Sequence, residues 1–584
     1  MHARQGGAGS AARRDSAPGR PRWTRWESMM EVDVVVIGSG AAGLTTAVVA
    51  ANEGLKVLVV EKGELFGGTT AISLGAPWII ANPRQKEMGL EDDAAAGETY
   101  LRSVLGNLYD PAKVEAYIAS GAEMVEYMES RTHVRWKGVP MPDYLSEHEG
   151  FRYGRTMLVE AFDGSVLGEY LPQMRVPLPG FVAFGSMQID ILEIDRFKQT
   201  LKGLDNFLFA AGRVLRYGLD VLRYGRGSYL ANGNALVGRL LRSALDAKVE
   251  LWRSAPAVGL LTEDGAVTGV TVERDRQRVT VKARRGVVLA SGGFGANEEL
   301  RGKFIPSADV HVSVQPEENA GDGIRLGQEA GGALGEVNPQ NGVWAPVSVF
   351  RRKDGRLLKY PHFGPDRGKP GSIIVDESGK RFANEAATYQ DFVNVMHERG
   401  IKRAFFIGNR QFLRSYGMGL ALAAPYPLRD LVSQGYLVEA ATLGELAGKI
   451  GVPAAALEET VAQFNVHAAK GEDPQFHRGA SAYDPSQGDF THEPNPNLAP
   501  VGEGPYYAIT LYPGDVSTVL GMKTDADARV LDAGGNPIPG LYAVGLDQNT
   551  VFRGVYPGGG SGIGPGMTFG YRAARHLAGT DRSA

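Results

Sequence analysis

Glycines at 38, 40 and 43, followed by an acid at Glu61, are the residues whose types and spacing could do chemistry together. In G-x-G-x-x-G the first glycine allows a tight turn, the second lets backbone approach a pyrophosphate, and the third lets a helix pack closely on a strand. The N–H groups of that helix's first turn and its positive dipole end then face the phosphates. An acid some 20 residues further on accepts ribose hydroxyls, and Glu61 stands in that place. Other chemistries lack their residues. The chain has no Cys, which removes thiol nucleophiles, Cys-ligated zinc, iron–sulfur clusters and disulfides. None of its 10 His falls in H-x-x-x-H or H-E-x-x-H spacing, so no metal site is expected. No Ser occupies a G-x-S-x-G elbow, which disfavours a hydrolase.

The elements that must position these residues are legible. Val32–Ile37 is a nearly continuous apolar run, as in a fully buried parallel strand. Leu44–Glu53 has helical spacing, Gly54 closes it, and Leu55–Val60 is the second strand, so the glycines sit inside a complete βαβ unit. Two later strands, Gly286–Ala290 and Gly540–Gly545, each end in a turn that could meet the same ligand. The fold class expected is α/β: a Rossmann-like FAD-binding domain of the GR2 type, built from both ends of the chain, with an inserted α+β cap or catalytic domain. The boundaries expected are a disordered leader over 1–29, the FAD domain over 30–342 with a helical insertion near 173–227, the cap over 343–504, and the rest of the FAD domain over 505–584. Within the cap, Ser372–Val375 reads as a strand, Glu439–Ile450 and Pro453–Ala469 as helices, and Gly471–Asn497 as a loop.

With 584 residues and about 150 per domain, two to four domains are expected. A net charge of −4 argues against a nucleic-acid partner. No apolar run reaches the ~20 residues of a membrane span. Phe207–Tyr224, broken by Arg213, Arg216, Asp220 and Arg223, reads as an amphipathic helix packed on its own domain, with a membrane-surface or substrate-entry role as the alternative. Residues 1–28 are Arg-rich without an apolar h-region, so they are no secretory signal. The location expected is cytoplasmic, with a membrane-peripheral placement as the alternative.

VVVIGSGAAGLTTAVVAANEGLKVLVVEK followed by GGTTAIS resembles the FAD-binding start of the succinate dehydrogenase/fumarate reductase flavoprotein superfamily. VVLASGGF, NAGDGIRLGQEAGG, GSIIVDESGKRFANEAATY and GLYAVG follow in that superfamily's order. The resemblance implies non-covalent FAD held by Gly38, Gly40, Ala41, Ala42, Gly43, Glu61, Lys62, Gly67, Gly68, Thr69, Thr70, Ser73, Gly75, Ala257, Ser291, Gly292, Gly293, Asp322, Gly545, Gly562 and Ile563. Covalent relatives carry a His near the segment matching Gly67–Ser73, and here the next His is His133.

Two departures separate this chain from the fumarate reductases. Their acid arginine, five residues after the Asn of RF-x-NE, is replaced by Tyr389, and their carboxylate-clamping His-Gly-Ala-Asn-Arg motif by Asn549–Gly560, where Arg553 is the one cation. Tyr556-Pro557-Gly558-Gly559-Gly560 is instead similar to the Tyr-Pro-Gly-x-Gly string of the 3-ketosteroid Δ1-dehydrogenases. That resemblance implies that Tyr556 and the N–H of Gly560 hold a ketone oxygen and that Tyr389 is the base. Tyr144, in Pro142-Asp143-Tyr144, is the nearest match to a third family tyrosine. The implied reaction is α,β-desaturation of a cyclic ketone, a 3-ketosteroid above all, by α-proton abstraction and hydride transfer to flavin N5, with a quinone or another external electron acceptor. The basic stretch from 173 to 227 has no counterpart in a compact steroid dehydrogenase and leaves smaller, cyclohexanone-type ketones as an alternative. Fumarate-type reduction of an activated double bond and a non-catalytic dinucleotide-binding electron carrier are the remaining rivals.

Overall fold

A computed structural model of the chain describes residues 29–580, except 199, 201, 202, 365 and 425. Of the leader expected over 1–29, residues 1–28 lie outside the described residues, and Met29 already belongs to the first strand. The main sheet has eight strands: β1 (Met29–Ile37), β2 (Val57–Val60), β3 (Glu250–Trp252), β4 (Ala257–Glu263), β5 (Ala266–Arg274), β6 (Gln277–Leu289), β7 (Arg529–Leu531) and β8 (Pro537–Ala543). β1 lies between β2 and β6, parallel to both, with Ile37 opposite Val60 on one side and Leu289 on the other. β3 extends the parallel set beyond β2, and β8 joins β6 through Val287–Leu541. β4 and β5 meander antiparallel beside β6. The centre of this sheet is buried on both faces, which is why Val34, Val35, Val36 and Val57–Val60 read as continuous apolar runs rather than alternating ones. β1, β2, β6 and β8 all point their C-terminal ends the same way. Gly38, Glu61, Ser291 and Gly545 therefore share one rim, where open α/β sheets bind ligands.

Helix α1 (Ala41–Asn52) starts directly after the glycine turn and packs against the helix Ile563–Ala578 on one face of the sheet. On the other face one apolar cluster runs without a break from Val35, Leu58 and Leu289 to Phe382, Phe392 and Phe406. It joins the main sheet to a second, four-stranded antiparallel sheet ordered Ser372–Val375, Ala404–Asn409, Tyr506–Leu511, Val438–Ala440. Helices Leu443–Ile450 and Ala454–Ala468 cover that sheet. The expected return to the FAD domain at 505 falls later: Tyr506–Leu511 is an inner strand of the second sheet, and the chain rejoins the main sheet at Arg529. A buried strand reads alike in either sheet, so only pairing assigns it.

The helix α2 (Leu204–Tyr224) departs from expectation more sharply. Ala210 is its one buried residue. Its inward face is polar: Arg213 pairs with Glu193, Arg216 with Asp163, Asp220 accepts from Ser228, and the Tyr217 hydroxyl donates to the carbonyl of Phe184. The leucines face outward. The amphipathic helix is present, but it is turned the opposite way from one packed on its own domain by its apolar stripe. Among the described residues, no helix is long and apolar enough to cross a membrane.

Candidate active site

The sheet rim carries a cradle of dinucleotide shape. Gly38 has φ +114°, and a Cβ there would overlap the carbonyl oxygen of Ala290; at Gly43 it would overlap that of Gly38. The turn thus lies flat against β6 and lets α1 approach. Gly40 caps α1 without a side chain, and the N–H of Ala41 donates to Thr70 Oγ1 at 2.9 Å; Ala42 packs beside Gly545. Glu61 is buried, and its carboxylate accepts from the Ser39 and Gly63 amides and from the Ser39 hydroxyl. Burial pushes its pKa up while those donors pull it down. Gly67, next to Gly68, donates to Ser39 Oγ at 3.0 Å, so Ser39 ties the turn, the acid and the next loop together.

Thr69 accepts from Asn319, Ser73 donates to the Thr70 carbonyl, and Gly75 donates to Ser73 Oγ. Lys62 pairs with Asp322 at 2.5 Å. Ala257 opens β4 two residues after Ala255, whose N–H donates to the Glu61 carbonyl. Asp547 accepts from the Ser291 amide and hydroxyl and from the Gly293 amide, and Gly292 lies between them. Burial raises the Asp547 pKa to about 6. The sequence placed Asp547 after GLYAVG without assigning it this role. Gly545, Gly562, Pro565 and Gly566 line a small recess shared with Val343, Val519 and Tyr556. Gly562 and Ile563 begin the helix Ile563–Ala578, so a second helix N-terminus faces that recess. A flat turn, bare helix N-termini and a buried acid fit FAD.

Beside the recess four tyrosines cluster. The hydroxyls of Tyr144 and Tyr389 are 3.3 Å apart. The rings of Tyr144, Tyr389 and Tyr556 are 5.6–5.7 Å apart, centre to centre. Tyr389 is the first residue of helix α3 (Tyr389–Glu398), fixed by the Thr388 cap whose hydroxyl accepts from the Asp391 amide. Burial, then the neighbouring phenols, push its pKa well above 10; burial raises those of Tyr144 and Tyr556 as well. The Tyr556 hydroxyl lies beside the backbone N–H of Gly560. Gly560 has φ +105°, and a Cβ there would overlap the carbonyl oxygen of Ala76.

The Tyr556–Gly560 turn is held from below. Tyr144 N–H and Tyr100 hydroxyl both donate to the carbonyl of Pro557, Thr156 to that of Gly559, and Trp78 N–H to that of Gly560. The Trp78 indole donates to Asp143, which pairs with fully buried Arg155, and Arg155 pairs again with Asp92. Burial raises the Asp143 pKa to about 6 despite that pairing.

Tyr483, which nothing in the sequence marked, has its ring 4.9 Å from that of Tyr144. Its loop is pinned by the RF-x-NE motif: Arg381 bridges Glu385 and Asp473, and Asn384 donates to Asp484. Arg381 itself is buried. Arg553 donates to Asn338 and pairs with Glu336, so it is tied up away from the tyrosines. Among the described residues, no group of three or more His, Asp or Glu could hold a metal.

The FAD binding domain family model matches residues 33–563. The chain is 41% identical over 94% of its length to 4-oxocyclohex-2-ene-1-carboxylate 5-dehydrogenase of Sinomonas cyclohexanicum, covering 93% of that protein. It is 36% identical to 3-oxosteroid 1-dehydrogenase of Mycobacterium tuberculosis, covering 94% of this chain and 99% of the other. The chain belongs to the 3-ketosteroid Δ1-dehydrogenase-like branch of the succinate dehydrogenase/fumarate reductase flavoprotein superfamily. Among solved structures, 3-ketosteroid Δ1-dehydrogenase from Sterolibacterium denitrificans, in complex with 1,4-androstadiene-3,17-dione, superposes with a TM-score of 0.86 at 34% identity, covering 94% of this chain and all of that one. Family membership makes FAD the cofactor of this chain.

Proposed function

We propose that this chain is an FAD-dependent oxidoreductase acting on CH–CH bonds, which introduces a double bond beside the carbonyl of a ring ketone, with 3-ketosteroids as the substrate class. The observation that carries this reading is the convergence of Tyr389, Tyr144 and Tyr556 around the Gly560 amide at the edge of the recess. FAD, when bound, supplies the hydride acceptor. Tyr556 and the Gly560 N–H donate to the ketone oxygen as it gains negative charge; losing one such donor costs about 2.7–4 kcal/mol of barrier. Tyr389, as the phenolate left once its own proton has gone to solvent, takes the proton from the carbon next to the carbonyl. Hydroxyl protons rotate freely, so once Tyr389 gives up its own, Tyr144 becomes the donor to the phenolate 3.3 Å away.

A smaller ring ketone is the second reading. Phe181, from the insertion, stacks on Tyr360 with ring centres 5.1 Å apart and lies 6.4 Å from Phe363, whose ring is 5.2 Å from that of Tyr389. Aromatic bulk this near the base favours a compact substrate. The FAD is non-covalent on this reading: His133 is paired with Asp246 on the surface, and the chain has no Cys. Acid precipitation should leave the yellow colour in the supernatant, and a yellow pellet would refute it. A quinone or another external acceptor reoxidises the enzyme, and a cytoplasmic, membrane-peripheral placement goes with the apolar outer face of α2. The test is anaerobic bleaching of the purified holoenzyme by 3-ketosteroids, cyclohexanones and, after reduction, reoxidation by fumarate. Bleaching by a ring ketone is expected. Reoxidation by fumarate with no bleaching by any ketone would refute the reading.

A further inference from the structure

The segment from 173 to 227 carries eight Lys and Arg against five Asp and Glu, in a chain whose acids prevail overall, 66 to 62. Its helix α2 is inverted: the polar contacts face the protein and the leucines face out. Leu204, Leu208, Leu215, Leu219 and Leu222 recur at spacings of three, four and seven, so they form one stripe, with Leu204 71% and Leu222 86% exposed. The hairpin Val182–Ala183/Met187–Gln188 adds Phe184 at its tip, 72% exposed, with its carbonyl held by Tyr217 of α2. Three residues before this outermost ring, Phe181 packs on Tyr360 and Phe363 beside Tyr389. One short segment thus has its inner end at the candidate site and its outer end on an apolar surface.

We propose that this segment is a membrane-docking module. α2 lies in the plane of an anionic lipid surface, with its leucines and Phe184 in the acyl boundary and the exposed Arg196 and Arg223 at headgroup level. An apolar ketone then reaches the site from the lipid, past Phe181. The identity of that cargo rests on the ring-ketone reading; the docking itself does not. Charge decides the occupant. Two copies meeting through α2 would bring two basic segments together, whereas an anionic bilayer complements them. Arg196, over the Phe209 ring at 4.0 Å, and Arg223, beside Tyr224, stand exposed to meet headgroups. Spanning is excluded, because the inward face of α2 is tied to the protein through Arg213, Arg216 and Asp220.

The experiment is co-sedimentation of the full-length holoenzyme with phosphatidylcholine vesicles, with and without phosphatidylglycerol. The wild type should pellet with the anionic vesicles and be released by salt. A variant carrying Leu208→Glu, Leu215→Glu and Leu219→Glu, all at exposed positions, should partition at least about tenfold less while keeping its FAD content and thermal midpoint. Failure of the wild type to pellet at low salt would overturn the proposal. So would equal pelleting of the triple variant, or a lipid-free dimer that the variant abolishes. Vesicle binding by an enzyme that no ketone bleaches would uphold docking and sink only the ring-ketone reading.

Discussion

Removal of the Tyr389 hydroxyl tests the proposed chemistry most directly. Tyr389→Phe deletes one oxygen from a buried ring flanked by Tyr144, Tyr556 and Phe363, so packing changes little. Its hydroxyl bonds that of Tyr144 at 3.3 Å, longer than a strong O–H···O contact, and also meets that of Tyr556, so the loss of stability should sit within about 0.5–1.5 kcal/mol. The effect on rate should be far larger, because a positioned base is worth about 10²–10⁴-fold. Tyr144→Phe leaves the base but removes the donor to its phenolate, and should cost less than Tyr389→Phe. Together the two should cost less than the sum of their separate effects, because both act on one proton transfer. The assay is anaerobic stopped-flow bleaching at saturating ketone, with FAD content and circular dichroism as controls. Exchange of the ketone's α protons with deuterated water should vanish in Tyr389→Phe. A bleaching rate within threefold of wild type, in a variant with full FAD, would refute the assignment of the base.

The pH profile should follow from the raised phenol. A base whose pKa lies above 10 is almost wholly protonated at neutral pH, so its phenolate fraction climbs with pH, and bleaching should accelerate by about tenfold per unit from pH 6 towards 9; a flat profile would exclude a phenolate base. Gly560→Ala meets both positive φ and the Ala76 carbonyl, so the turn must shift; ketone bleaching should be lost while FAD, gripped chiefly by the Gly38–Gly43 turn and Glu61, stays bound, as absorbance would show. Gly43→Val should instead yield colourless protein, because the added side chain meets the Gly38 carbonyl and pushes α1 off the strand. Asp143→Ala leaves the Trp78 indole without its acceptor and removes one of the two carboxylates paired with Arg155, so the thermal midpoint should fall and bleaching should slow together; an unchanged midpoint would show that the Trp78–Arg155 support is dispensable.

Much of the cofactor half was written locally. Gly38, Gly40, Gly43 and Glu61 lie in one βαβ unit, where turn geometry and strand burial act over neighbouring residues, so spacing alone places them. Tyr389 and Tyr556 came from short motifs whose neighbours fix the backbone: the Thr388 cap for one, the glycine turn for the other. Other features had no local signature. Tyr483 reaches Tyr144 because Arg381 and Asn384, some 100 residues earlier, clamp its loop, and such a clamp exists only when distant segments meet. Asp547 acquires its donors from Ser291 and Gly293 because β6 and β8 are neighbours in the sheet. Tyr506–Leu511 is a buried strand wherever it pairs, and only hydrogen bonding to Ala404–Asn409 assigns it to the second sheet. For α2 the periodicity dictates an amphipathic helix but not which face turns inward. That was settled by Glu193, Asp163, Ser228 and the Phe184 carbonyl, which offer the arginines, Asp220 and Tyr217 their partners and leave the leucines outside.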